Sequence, residues 1–430
     1  MSAAVRWRGR YTEAVELTRR AVQLASDPHQ PQARLRHPRF FLGMALCDCD
    51  LFGEAAATFA EALEEYEELG SVWLLSDTLA FQATVSFITG DWDDAGPGLE
   101  AGLLLGEEQG NRVLVNQWRG SLAVIAAARG EDRTAREALA PAEGELTSDT
   151  PGFGAEMVAY AASVIAEAGG DPAAAFEILL RFWQLDAERD SRYYNRYLAP
   201  ALVRLALTLG RGDVARQVAG AVEADASLAP GVPTVLSTAC RCRGLAETEP
   251  DTLLKAVELA RRGPRLLDHA GACEDAAAVL IAAGRADEAK PLLIETLERY
   301  EGAGAHARAA RVSAELRRLG IRRGTRGSRS RPAHGWESLT ATERAVSLLV
   351  AEGLTNRNVA RRLHISPHTV NTHLRHVFEK LSVSNRAALS PAVGGGAGHQ
   401  LIPLPVPARG QRPAEFADVA VGRDLGGVDP

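Results

Sequence analysis

The sequence predicts an all-α chain: a long stack of helix pairs followed by a small four-helix module. Three observations carry that expectation. A short motif ending in Ala recurs with a period near 40 residues through most of the chain. Two capped helices joined by a tight turn stand near the C-terminus. The charge also divides. Residues 317–390 hold 14 Lys and Arg against 4 Asp and Glu, a net of +10, in a chain of net −7. With the last 40 residues at −1, residues 1–316 come to −16. A basic end on an acidic body suits a polyanion-binding part joined to something else.

At 430 residues the chain allows two or three domains and a large core. It shows no N-terminal apolar segment and no apolar run near 18 residues, so a cytoplasmic protein without membrane contact is expected. Five cysteines, an odd number, argue against a disulfide framework.

The body, residues 1–320, is read from its repeat. Copies start at Gly9, Asp50, Gly90, Gly130, Gly170 and Gly210, with a weak copy at Glu249 and a clear last one at Gly284. The steps are 41, 40, 40, 40, 40, 39 and 35 residues. Each motif opens one amphipathic helix, as over 55–69 and 289–300. The partner helix precedes it, as over 72–88, 113–128, 157–168 and 196–209. The Gly stops one helix and turns into the next. Neither helix can bury its apolar face alone, so the pairs are expected to stack into a right-handed α-solenoid. The first copy, over 9–25, has no preceding helix to pair with.

Residues 321–336 are rich in Gly, Ser, Pro and Arg without periodicity, and read as a flexible basic linker. The module follows at 337–390. Thr340 and Glu343 have capping-box spacing, and Val346, Leu349 and Val350 follow at helical intervals. Gly353 stops this helix. Thr355 caps a second, which offers Val359 and Leu363. Ser366 caps a third, with Pro367 at its first position. In the third helix Val370, Leu374, Val377 and Leu381 form one apolar stripe, opposite His368, Asn371, Thr372, Arg375 and Glu379. This is a helix-turn-helix plan, whose second helix enters the major groove of DNA. A short fourth helix over 385–390 ends at Pro391. Residues 391–430, with Gly and Pro runs, read as a disordered tail.

The module resembles the LuxR-type DNA-binding domain. The residues that carry the likeness are Leu339-Thr340, Glu343, Gly353-Leu354-Thr355-Asn356, Val359-Ala360, Ile365-Ser366, Thr369-Val370, His373, Lys380-Leu381 and Asn385-Arg386. The repeat motif resembles the tetratricopeptide repeat stretched to about 40 residues, the spacing of the sensor region in the large ATP-binding (MalT-like) LuxR-type regulators. No Gly-x-x-x-x-Gly-Lys-[Ser/Thr] occurs, so their phosphate-cradling loop is missing from this sequence. Together with the unpaired first copy, this reads as a truncation of a longer architecture.

Arg375 is the first candidate for a base contact, since its fork can pair with guanine O6/N7. Asn371 stands where the family usually has Lys, and can read adenine N6/N7. Thr372 can meet a thymine methyl or a phosphate. Thr355, Asn356, Arg357, Ser366, Thr369, Lys380 and Arg386 are candidates for backbone contacts, which position the module without specifying sequence. The expected partner is double-stranded promoter DNA, bound by a homodimer. The repeat groove is expected to take a small-molecule or protein effector.

Other clusters favour plainer readings. His364, His368, His373 and His376 lie close in sequence, yet metal is not expected there. Cys47/Cys49 and Cys240/Cys242 point to different helix faces and read as buried small residues. Trp183, Tyr193, Tyr194 and Tyr197 read as inter-repeat packing sooner than as an effector groove. No nucleophile–base or paired-carboxylate arrangement stands out, so no enzyme activity and no cofactor are expected. The first functional reading is a sequence-specific transcription regulator. The alternative is a tetratricopeptide-like scaffold without specific DNA binding.

Overall fold

The structure, a computed structural model, describes residues 2–389 apart from 28, 30, 72, 111, 112, 322–333 and 364. The tail expected over 391–430, His364 and most of the expected linker lie outside the described residues. Every regular element among the described residues is helical.

The 40-residue period has a local cause. At each strong copy the first motif residue adopts the left-handed conformation: Gly9, Asp50, Gly90, Gly130, Gly170, Gly210 and Gly284 all have positive φ. The next N–H reaches back five residues, as in Asp91 to the Ser86 carbonyl at 2.9 Å and Arg211 to Ala206 at 2.7 Å. This pattern is the Schellman turn, which satisfies the orphan carbonyls of the preceding helix. Five residues after each of these turn positions stands an Ala: Ala14, Ala55, Ala95, Ala135, Ala175, Ala215 and Ala289, each 0% exposed. A methyl is what fits where the two helices of a pair approach closely. The weak copy lies one residue earlier than the sequence places it. Thr248, not Glu249, takes the left-handed position at φ 57°, and Leu253 fills the place of the Ala. A Thr in that conformation hides the turn from a search for Gly.

Apart from the single turn Pro31–Arg34, which packs on Tyr11–Ala25, consecutive body helices pack on one another from Ser2–Trp7 to His306–Arg318. The first copy is not unpaired, as the short helix Ser2–Trp7 packs on Tyr11–Ala25. Within the stack, Val115–Arg129, Ala155–Ala168, Asn195–Thr208, Pro233–Glu247 and Leu266–Ala282 form an inner row. The row curls until His306–Arg318 meets Val115–Arg129. Gly120 lets two of these helices touch, since a Cβ there would lie 2.6 Å from the Met157 backbone.

The N-terminal pairs are tied to residues far along the chain. Asp50 Oδ2 accepts from Thr234 Oγ1 at 2.6 Å, and Asp50 Oδ1 accepts from Arg265 Nε at 2.6 Å. Arg265 Nη2 also donates to the Cys47 carbonyl at 2.8 Å. Arg6 pairs with Asp48 within the N-terminal pairs, and further along the chain the Arg192 N–H donates to the Trp7 carbonyl at 2.7 Å. Gly90 abuts Leu266, where a Cβ would come within 2.8 Å of that side chain.

The C-terminal module folds around Leu339, Val346, Leu349, Val350, Val359, Ala360, Val370, Leu374, Val377 and Leu389. Its helices are Ala341–Ala351, Asn356–Leu363 and Pro367–Leu381, with one more helical turn over 386–389. Leu363 and Leu381 pack at the rim of this core. Trp336, at the end of the expected linker, packs there too.

Candidate nucleic-acid interface

The third module helix is fixed at its start by Ser366, whose Oγ accepts from the Thr369 N–H at 2.8 Å. It is fixed near its end through Glu343. That carboxylate, 1% exposed, accepts from the Thr340 N–H at 2.8 Å, while the Thr340 hydroxyl accepts from the Glu343 N–H. The capping box is therefore complete. Lys380 Nζ donates to both Glu343 oxygens at 2.8 and 2.7 Å, clamping the third helix to the first. On the second helix, Asn356 Oδ1 accepts from Arg386 Nη1 at 2.8 Å, and Arg386 also bonds the Leu354 carbonyl. Thr355 Oγ1 accepts from the Asn358 N–H at 3.3 Å as a cap.

These bonds sort the candidate residues. Lys380, Arg386, Asn356, Ser366 and Thr369 are engaged in holding the module together, and Ser366 and Thr369 are buried. Thr355, Arg357, Asn371 and Arg375 are exposed. Thr372 departs from the expected open position: it is 4% exposed, and its hydroxyl donates to the His368 carbonyl at 3.3 Å. Thr372 lies about 200° round the helix from Val370, on the side away from the module's own core. Its cover comes from outside the module.

That cover is the body helix Trp92–Gln109, against which the third helix packs. Arg375 forms an ion pair with Glu100, and His376 Nε2 lies 3.2 Å from the same carboxylate. Burial works to raise the Glu100 carboxyl, but the bond to His376 and the charge of Arg375 outweigh it and hold it below its ordinary value. Nearby, Asp94 is bonded to the Thr342 side chain; burial and the neighbouring Asp91 push its carboxyl up to about 6. A second contact zone leaves a cavity of about 720 Å³ between the module's turn (Arg357, Ile365, Pro367, His368) and body residues including Leu63 and Leu75. The face expected to read DNA is thus engaged by the body at Arg375 and His376, while Asn371 stays exposed.

Sequence reasoning did not find Glu100. The available signal was its isolation: between Asp94 and Glu107 it is the only charged residue, on a stretch otherwise made of Ala, Gly, Pro and Leu.

The plainer readings divide likewise. The described histidines of the expected cluster separate: His368 is exposed, His376 faces Glu100, and His373 is 1% exposed with burial pushing it down to about 4. Cys47 and Cys242 are buried and Cys49 and Cys240 half-buried; burial pushes the Cys47, Cys49 and Cys242 thiols up to about 12, away from nucleophilic use. Tyr193, Tyr194 and Tyr197 pack edge-on and tilted against one another in the core, with ring centroids 4.7 and 6.4 Å apart. His269, Cys273 and Glu295 bring possible metal-ligand atoms within 4.8 Å of one another. Arg261 donates to both Glu295 oxygens, so that carboxylate already has its cation. Asp186 and Glu156 form a buried carboxyl pair. Burial, then the Glu156 charge, pushes Asp186 up to about 8, and burial raises Glu156.

Residues 337–391 match the family model described as bacterial regulatory proteins, luxR family. A protein of Mycobacterium bovis named as an HTH-type transcriptional regulator, Mb0914c, is 58% identical over 64 residues, 15% of this chain and 7% of that protein. The monoamine regulon transcriptional regulator of Klebsiella aerogenes is 51% identical over 51 residues, 12% of this chain and 22% of its own length. The nitrate/nitrite response regulator protein NarL of Escherichia coli is 36% identical over 61 residues, 14% of this chain and 28% of its own. The chain therefore matches less than a third of the length of each of these relatives. No helix among the described residues is long and apolar enough to cross a membrane.

Proposed function

We propose that this chain, whose C-terminal module is a LuxR-type helix-turn-helix domain, is a sequence-specific transcription regulator that binds promoter DNA through its third module helix. The observation that carries the reading is the pairing of a rigidly clamped helix with Asn371 and Arg375 on the face opposite its buried stripe. Those two side chains have the right chemistry for adenine and guanine edges, and Arg357 and Thr355 flank them for phosphates. Binding as a homodimer would set two such helices on successive major-groove turns.

The helical body serves as the sensor in this reading. Arg375 cannot reach a base while it pairs with Glu100, so docking on Trp92–Gln109 and binding to DNA exclude each other. An effector that favours the undocked arrangement would raise DNA affinity by its differential affinity for the two states.

The test is duplex binding by fluorescence anisotropy, using DNA from upstream of the gene and a salt titration. A steep loss of affinity with salt is expected from several phosphate contacts. Arg375→Ala is expected to relax sequence preference. Absence of binding to any fragment at low salt would leave the scaffold reading.

A further inference from the structure

The inner row of body helices and His306–Arg318 enclose a cavity of about 540 Å³. Five arginines and four carboxylates line it, and most of them cancel in pairs. Arg204 forks onto both oxygens of Glu167. Arg241 Nε donates to Asp275 at 2.6 Å, and Arg311 pairs with Glu274. Arg196 and Asp268 face the tie between the N-terminal pairs and the later helices, each 4.0 Å from its partner there: Arg196 from Asp50, Asp268 from Arg265.

Arg308 is left over. Among the described residues no carboxylate lies within ion-pair reach of it. Its one hydrogen bond is from Nη1 to Tyr300 Oη at 3.5 Å, the outer limit of such a bond. The Tyr300 hydroxyl is itself committed, donating to Glu274 at 2.5 Å. The Arg308 guanidinium carbon stands 5.8 Å from the Tyr300 ring centroid. The carboxylates whose charge reaches it, Glu274 and Glu167, are in direct contact with Arg311 and Arg204 instead, so the guanidinium fork is left under-satisfied, and its planar shape matches a carboxylate or a phosphate. The wall also offers Tyr160 and Tyr197, whose ring centroids are 6.1 Å apart, as a surface for a flat or apolar group.

We infer that this cavity binds a small organic anion, its carboxylate or phosphate group seated on Arg308 and its apolar part against Tyr160 and Tyr197. This deepens the sensor reading of the body and rests on it for its regulatory meaning, though not for the binding itself. Arg308 lies on the last described body helix before the module, where the curl of the inner row closes on Val115–Arg129. A ligand there would bridge the two ends of that curl.

The test is calorimetric titration of the full chain with benzoate, phenyl phosphate and neutral benzamide. At least one anion is expected to bind with Kd below about 1 mM, with benzamide roughly tenfold weaker. Preference for benzoate assigns a carboxylate ligand, and preference for phenyl phosphate a phosphate. Arg308→Gln is expected to weaken the anion by about tenfold or more. Should that variant not fold, Arg308→Lys keeps a cation but loses the fork, and about threefold weaker binding is expected. No heat from either anion at about 10 mM, or unchanged anion affinity in the variant, overturns the site. The titration is then repeated with promoter duplex. An anion that binds through Arg308 without altering duplex affinity overturns the sensor reading and leaves the site standing.

Discussion

Replacing Glu100 by Gln should strengthen DNA binding, although the residue lies in the body, about 275 residues from the helix that reads DNA. Glu100 and Arg375 side chains are 33% and 48% exposed, so solvent screens their pair. A pair this open contributes about 0.2–1 kcal/mol, and sharing the carboxylate with His376 places it at the upper end, about 1 kcal/mol. If the docked arrangement predominates, apparent affinity equals intrinsic affinity times the undocked fraction. Weakening the dock by about 1 kcal/mol should then raise affinity about fivefold. Removing a negative charge also favours polyanions in general, so Glu108→Gln, exposed on the same helix, is the control. The assay is anisotropy of a labelled promoter duplex at fixed salt. Equal gains in Glu100→Gln and Glu108→Gln, or no gain in either, would refute the view that Glu100 holds the reading face.

Four further outcomes follow from the contacts described. Arg375→Ala should undock the module yet lose base discrimination, so its affinities for cognate and scrambled duplexes should converge; a uniform loss on both would make Arg375 a phosphate contact only. Glu343→Ala removes half of the capping box and the Lys380 clamp, and should destabilise the module by about 2 kcal/mol in chemical denaturation. A Lys380→Met loss seen only in DNA binding, with stability unchanged, would contradict the clamp. Asp50→Ala strands the Arg265 guanidinium, 4% exposed, and should cost the body about 3–5 kcal/mol; a change below about 0.5 kcal/mol would show that the tie is dispensable. The Asp186–Glu156 pair has raised folded-state values, so its contribution is complete at pH below about 4 and is lost as pH rises toward about 8. Asp186→Asn should flatten the decline of melting temperature from mildly acid to mildly alkaline pH, and parallel curves for the two proteins would refute the pairing.

The sequence discloses the parts of this molecule that are local. Turn and contact in each body pair are set within a few residues, Gly90 or Gly130 bending the chain and Ala95 or Ala135 filling the crossing, so they recur visibly. The capping box at Thr340 and Glu343 is local in the same way. Asp50 gives no such sign, because Thr234 and Arg265 stand 184 and 215 residues away and nothing near any of them announces the others. Lys380 and Arg386 show a different difficulty. The LuxR-type pattern mixes residues that hold the module with residues suited to touch DNA, and a basic side chain looks alike in both roles until its carboxylate or carbonyl partner is located. Thr372 was legible as outward-facing; that the outward side is covered depends on Trp92–Gln109, which pattern within the module cannot reveal.

The tie at Asp50 bears on how the body comes apart. A row of repeats touching only its neighbours unfolds from its ends, each unit melting nearly independently. Here the second motif copy is bonded to helices five and six pairs further on, so fraying at the N-terminus strips a buried partner from Arg265 at the far end of the row. The body should therefore melt in one sharp transition, and cutting that single bond should broaden it into several.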